Sequence, residues 1–136
     1  MKVRSMALAS LTASAITGLA CAYSMSAGTP AGIARTIVLR QGSSIPGYEG
    51  VVATVVLAPG AAEGLHTHHA DVYGYVIEGS ATIEKAASPT LTLHAGEAFY
   101  IAAGVVHQGI NNGKVPAKIV AVFVAEKGQP LATPAE

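Results

Sequence analysis

The stretch Gly60-Ala61-Ala62-Glu63-Gly64-Leu65-His66-Thr67-His68-His69-Ala70-Asp71-Val72-Tyr73-Gly74-Tyr75-Val76-Ile77-Glu78-Gly79 decides how the rest of the chain is read. His66 and His68 stand two residues apart. Side chains alternate faces along an extended strand, so both imidazoles project to the same side. Residues 72–77 read as the second strand of the same motif hairpin, and Glu78-Gly79-Ser80 reads as the turn that ends it. Farther along, residues 96–111 carry a third histidine, His107. A second hairpin folded against the first would bring the three imidazoles together inside one barrel.

Working outward, the same strand-and-turn grammar continues on both sides. Residues 35–40 read as a first strand and residues 43–47, Ser-Ser-Ile-Pro-Gly, as a turn. Residues 51–57 are apolar at nearly every position, as expected of a strand covered on both faces or one lying where two sheets pack. Residues 80–85 and 90–94 alternate small or apolar with polar side chains, and Ala87-Ser88-Pro89 turns the chain between them. Residues 98–101 form a further short run. Asn111-Asn112-Gly113 reads as the turn of a last hairpin, because Asn and Gly supply positive φ at low cost, and residues 118–124 read as a final buried strand. Closely spaced turn signals and the lack of a helical apolar stripe predict an all-β sandwich or barrel.

The first residues are read apart from the fold. Lys2 and Arg4 precede an uncharged run of small and apolar residues from 5 to 20, and Ala20-Cys21-Ala22 fits a small-x-small cleavage site. Residues 1–22 therefore read as a secretory signal, which predicts an exported, periplasmic protein. The run is too short and too rich in Ser, Thr and Gly for a membrane span. Cleavage after Ala22 is the reading adopted; in the alternative, Cys21 becomes a lipidated first residue and so the one route to a membrane. Residues 23–34 read as a flexible leader, 35–126 as one domain and 127–136 as a tail, either a loose end or a strap.

Composition narrows the function. The chain has 136 residues, eight basic and eight acidic, and a single cysteine. Losing Lys2 and Arg4 with the signal leaves a slight acidic excess, which argues against nucleic acid or anionic lipid as partners. Cleavage after Ala22 also removes the cysteine, so a metal site in the remaining chain must use histidine and carboxylate.

The spacings Gly60, five residues, His66-Thr67-His68 … Gly79 and Gly96, seven residues, Gly104, two residues, His107, three residues, Asn111 resemble the two motifs of the cupin superfamily, in its small single-domain form. The resemblance implies a double-stranded β-helix, a jelly-roll-like barrel, and a tendency to pair as a homodimer. It implies no single activity, since that fold hosts dioxygenases, isomerases, decarboxylases, epimerases, regulators and storage proteins. It also implies that a glutamate usually completes the ligand set seven residues before Gly79. That place is Val72 here, and the proline usual in the second motif is Ala102. Asp71 is offset by one residue, which points it to the opposite face unless a bulge re-aims it.

The candidate ligands are thus His66, His68 and His107, for a divalent metal such as iron, zinc, nickel or copper. Without the carboxylate the bare site carries +2 rather than +1, which favours an anionic chelating ligand. His69 and His94 are expected in solvent, and Tyr73, Tyr75 and Gln108 on the face away from the metal; Phe99 and Ile101 are expected to wall an apolar cavity for a small organic ligand. Glu63, Asp71, Glu78, Glu84 and Glu97 read as solvated charges, and no catalytic side chain is assigned. Two functions follow: a metal-dependent enzyme of Lewis-acid or dioxygenase type, or a non-catalytic binding or structural barrel whose metal site has weakened or been lost.

Overall fold

A computed structural model describes residues 30–136. The signal segment 1–22 with Cys21, and all but the last residues of the leader, lie outside the described residues.

Among the described residues, runs rich in Val, Ile, Thr and aromatic residues form ten strands: β1 (Ile33–Gly42), β2 (Tyr48–Leu57), β3 (His66–Thr67), β4 (Ala70–Glu78), β5 (Ser80–Lys85), β6 (Leu91–His94), β7 (Ala98–Ile101), β8 (His107–Ile110), β9 (Ala117–Glu126) and β10 (Thr133–Pro134). They build two five-stranded antiparallel sheets, ordered β1-β2-β9-β4-β7 and β10-β3-β8-β5-β6. From β2 onward the chain changes sheet at every connection except the β5–β6 turn. This winding is the double-stranded β-helix, and it leaves the three histidines on facing inner surfaces.

Two turns expected from sequence behave differently. β3 and β4 lie in different sheets, so the motif is not a hairpin. Gly79 carries the chain across from β4 to β5 at φ 71°, where an added Cβ would stand 2.4 Å from the Pro116 carbonyl oxygen. Only glycine suits both the left-handed backbone and that close approach. Likewise β8 and β9 do not pair, and neither Asn111, Asn112 nor Gly113 takes positive φ. Asn111 acts through its side chain: fully buried, it donates from Nδ2 to the carbonyls of Leu57 (2.9 Å) and Val115 (2.8 Å), and its Oδ1 accepts from Gly113 N–H (2.9 Å). The amide stitches the β8–β9 crossing to the end of β2.

The core lies between the sheets. β2 contributes Val51, Ala53, Val55 and Leu57, and β9 contributes Ala117, Ile119, Ala121, Phe123 and Ala125. Alternation is clean and the outer residues Val52, Thr54 and Val56 are half-buried, so of the two expectations for this run, packing between two sheets holds and cover on both faces does not. The small Ala121 on β9 and Ala53 on β2 leave room within the barrel, and this room becomes a cavity. Residues past β9 cross back to the second sheet, where Thr133 and Pro134 pair with Thr67 and His66 as a strap beside the site.

Candidate metal centre

His66 and His107 are direct cross-strand partners on β3 and β8, and His68 follows His66 at the period of a strand. All three are buried, with ring centroids 4.3 to 4.8 Å apart. One ligand nitrogen from each lies within 4.8 Å of the other two.

Their tautomers follow from their partners. Nδ1 of His66 is 2.8 Å from the Gly64 carbonyl oxygen, Nδ1 of His107 is 2.9 Å from that of Val105, and Nδ1 of His68 meets the carbonyl of Leu131 on the strap. A carbonyl oxygen can only accept, so each Nδ1 carries the hydrogen. In the neutral form such a ring has an Nε2 lone pair free for coordination, and a carbonyl behind the ring is what commonly orients imidazole ligands in metal proteins. Burial favours this neutral state, lowering the pKa of His107 and bringing that of His68 down to about 4, against the opposing pull of their carbonyl partners. Phe123 packs against His68 in a T-shaped contact with ring centroids 5.2 Å apart.

The histidines open onto a cavity of about 110 Å³. Its wall is mostly apolar and includes Val55, Ile83, Phe99, Ile101, Ile119 and Leu131. Val72, 3% exposed, occupies that wall between Ile101 and Phe123 on the neighbouring strands, so an isopropyl group stands where the resemblance implied a carboxylate. Asp71 faces the other way, accepting from the Tyr100 hydroxyl (2.8 Å) and Ala103 N–H (3.2 Å). This bond to Asp71 raises the Tyr100 pKa.

Other expected placements hold. His69 and His94 are exposed, Tyr73 and Tyr75 sit on the outer face, and Gln108 turns away to donate to Glu84. Glu63 does not behave as a solvated charge. Its side chain is 15% exposed, lines the cavity, pairs with Arg35 Nη2 at 2.7 Å and accepts from Gly109 N–H at 3.1 Å. Gly109 makes the space, since a Cβ there would lie 2.6 Å from Glu63 Oε2. Sequence reasoning missed Arg35, Glu63 and Leu131 as site residues. A faint signal existed for Arg35, which shares strand parity with Ile33, and for Glu63, which falls between Gly60 and His66.

Comparison with known proteins agrees with this geometry. Residues 53–123 match the family model described as a cupin domain. Over 79 residues the chain is 34% identical to the tetracenomycin polyketide synthase protein TcmJ of Streptomyces glaucescens, covering 57% of this chain and 52% of that protein. The chain thus spans about half the length of this curated relative. Among solved structures, a recombinant oxalate oxidase in complex with glycolate is 27% identical, with a TM-score of 0.63 over 78% of this chain and 56% of that one. A conserved protein of Klebsiella pneumoniae with a double-stranded β-helix domain is 25% identical, with a TM-score of 0.63 over 79% and 90% of the two chains.

Proposed function

This chain belongs to the cupin family, and from that premise we propose that it binds a divalent metal through His66, His68 and His107 and holds a small anionic organic ligand in the adjoining cavity. The observation that supports this most is the set of three backbone carbonyls fixing Nδ1–H on three clustered histidines. Such locking is wasted on a merely structural cluster, since burying three imidazoles side by side gains little that apolar residues would not supply. Iron, zinc, nickel and copper all suit an imidazole set. A metal held there supplies Lewis-acid activation of a chelating oxygen anion, extended to dioxygen chemistry by iron or copper.

The chain's own residues do the rest. The Gly64, Val105 and Leu131 carbonyls keep the rings aimed, and Phe123 packs one face of the cluster. Phe99, Ile101, Ile119 and Val72 exclude water from the ligand's apolar part. The oxalate oxidase similarity, seen with glycolate, supports a small oxygen-rich anion as the ligand class. The basic, apolar segment 1–22 supports export to the periplasm as the place of action.

A second reading rests on Val72: with the carboxylate place filled by an isopropyl group, the barrel binds its small ligand without metal. Elemental analysis of the untagged protein separates the two. About one equivalent of metal, lost in His66→Ala, is expected. Absence of metal after reconstitution with iron, zinc, nickel and copper in turn would favour the metal-free barrel.

A further inference from the structure

Among the described residues that line the cavity Arg35 is the cationic side chain, and it approaches from β1, in the first sheet. Its strand partner Val55 also lines the cavity, so strand parity sends Arg35 toward the barrel interior. At 35% side-chain exposure it stands at the rim, whereas the histidines are buried. Glu63 is tied to β8 in the second sheet by reciprocal bonds with Gly109: Glu63 N–H donates to the Gly109 carbonyl (2.9 Å), and Gly109 N–H donates to Glu63 Oε2 (3.1 Å). The ion pair therefore links the two sheets beside the cavity, and the glycine notch is what admits the carboxylate.

A guanidinium presents five N–H donors in a planar fork. Among the described residues Arg35 uses Nη2 toward Glu63 and makes no other hydrogen bond. One edge is held and donors remain. Such a fork matches a carboxylate in shape and charge, and holding it by one edge lowers the entropy lost when the other is engaged.

We propose that Arg35 is the carboxylate anchor of this cavity, held in place by Glu63, so that the ligand is a small carboxylate with a short apolar body and a second oxygen-donor group for the histidine-bound metal. The metal end rests on the function proposed above; the anchor end does not. Counted as space open to the centres of water-sized groups, the cavity of about 110 Å³ admits roughly seven to ten heavy atoms at about 11–15 Å³ of such space each. A five-carbon dicarboxylate falls in that range. Glu63 is a positioning residue, since its two oxygens are already engaged by Arg35 and Gly109.

The test uses the full chain and two probes, glutarate and butanoate, by calorimetry or chemical-shift titration. With zinc bound, glutarate should bind more tightly than butanoate, and Arg35→Gln should weaken glutarate about tenfold, the worth of one charge-assisted contact, while leaving zinc content unchanged. Arg35→Lys should recover part of the loss. Glu63→Gln should narrow the preference for glutarate over butanoate without changing zinc affinity. In metal-free protein, butanoate binding should also depend on Arg35. If zinc is not retained but that dependence persists, the metal reading fails and the anchor stands. Equal glutarate affinity in wild type and Arg35→Gln at equal zinc content overturns the anchor. Should Arg35→Gln misfold by stranding Glu63, the Arg35→Gln/Glu63→Gln pair removes both charges together, and unchanged glutarate affinity there is equally decisive against it.

Discussion

Acid should destabilise the metal-free protein by an amount traceable to one ring. His68 is 8% exposed, and its pKa falls from 6.5 to about 4, chiefly through desolvation. In the unfolded chain the ring regains its ordinary pKa. As pH drops below 6.5 the unfolded state takes up a proton that the folded state refuses, so stability is greatest above 6.5 and is lost down to about 4. One pKa unit corresponds to about 1.4 kcal/mol, so the whole window is worth about 3 kcal/mol, of which about 2.5 is lost by pH 4.5. His107, also lowered by burial, adds in the same direction. Urea denaturation at pH 7.5 and 4.5, with chelator present, reads the effect. For a small domain, a 2.5 kcal/mol loss moves the midpoint by about 1–2 M. In His68→Gln the pH-dependent part of the shift should shrink by that amount. An identical shift in wild type and His68→Gln would refute the assignment of His68 as a ring buried neutral.

Two further outcomes are expected. Asn111→Ala deletes three hydrogen bonds made by a fully buried side chain and takes a donor from two carbonyls, so it should cost about 3 kcal/mol; a wild-type urea midpoint would show that the β8–β9 crossing does not depend on it. Ending the chain after Lys127 removes the Leu131 carbonyl from His68 and the β10 pairing. Zinc affinity should fall about 10–100-fold with the β-sheet circular dichroism retained, and unchanged affinity would show that the strap does not orient His68.

Much of this was legible in sequence because it depends on period and spacing. His66 and His68 share a face by strand parity, and the same parity placed Asp71, Tyr73, Tyr75 and Gln108 outward. Phe99 and Ile101 were readable as cavity wall for that reason. What escaped was pairing. Local composition marks that the chain turns at Gly79 and near Asn111 but not that each turn changes sheet, since a sheet switch and a hairpin ask for similar residues. Glu63 escaped because its burial is conferred by Arg35 and Gly109, 28 and 46 residues away in the chain. Leu131 acts through a backbone carbonyl, which no side-chain pattern can announce.

The sheet-switching wind also sets an order on biosynthesis. β2, residues 48–57, finds its inner neighbour β9 only at residues 117–126. Until then the strands of the first sheet already made can form two separate pairs, β1–β2 and β4–β7, whose inner edges at β2 and β4 both await β9. Pairings this distant in sequence are slow to close, and exposed apolar strands associate with one another meanwhile. A nascent chain that stalls before Lys118 therefore holds its first sheet as two unjoined pairs rather than as a smaller barrel, and chaperone binding to such intermediates should cease once β9 is released.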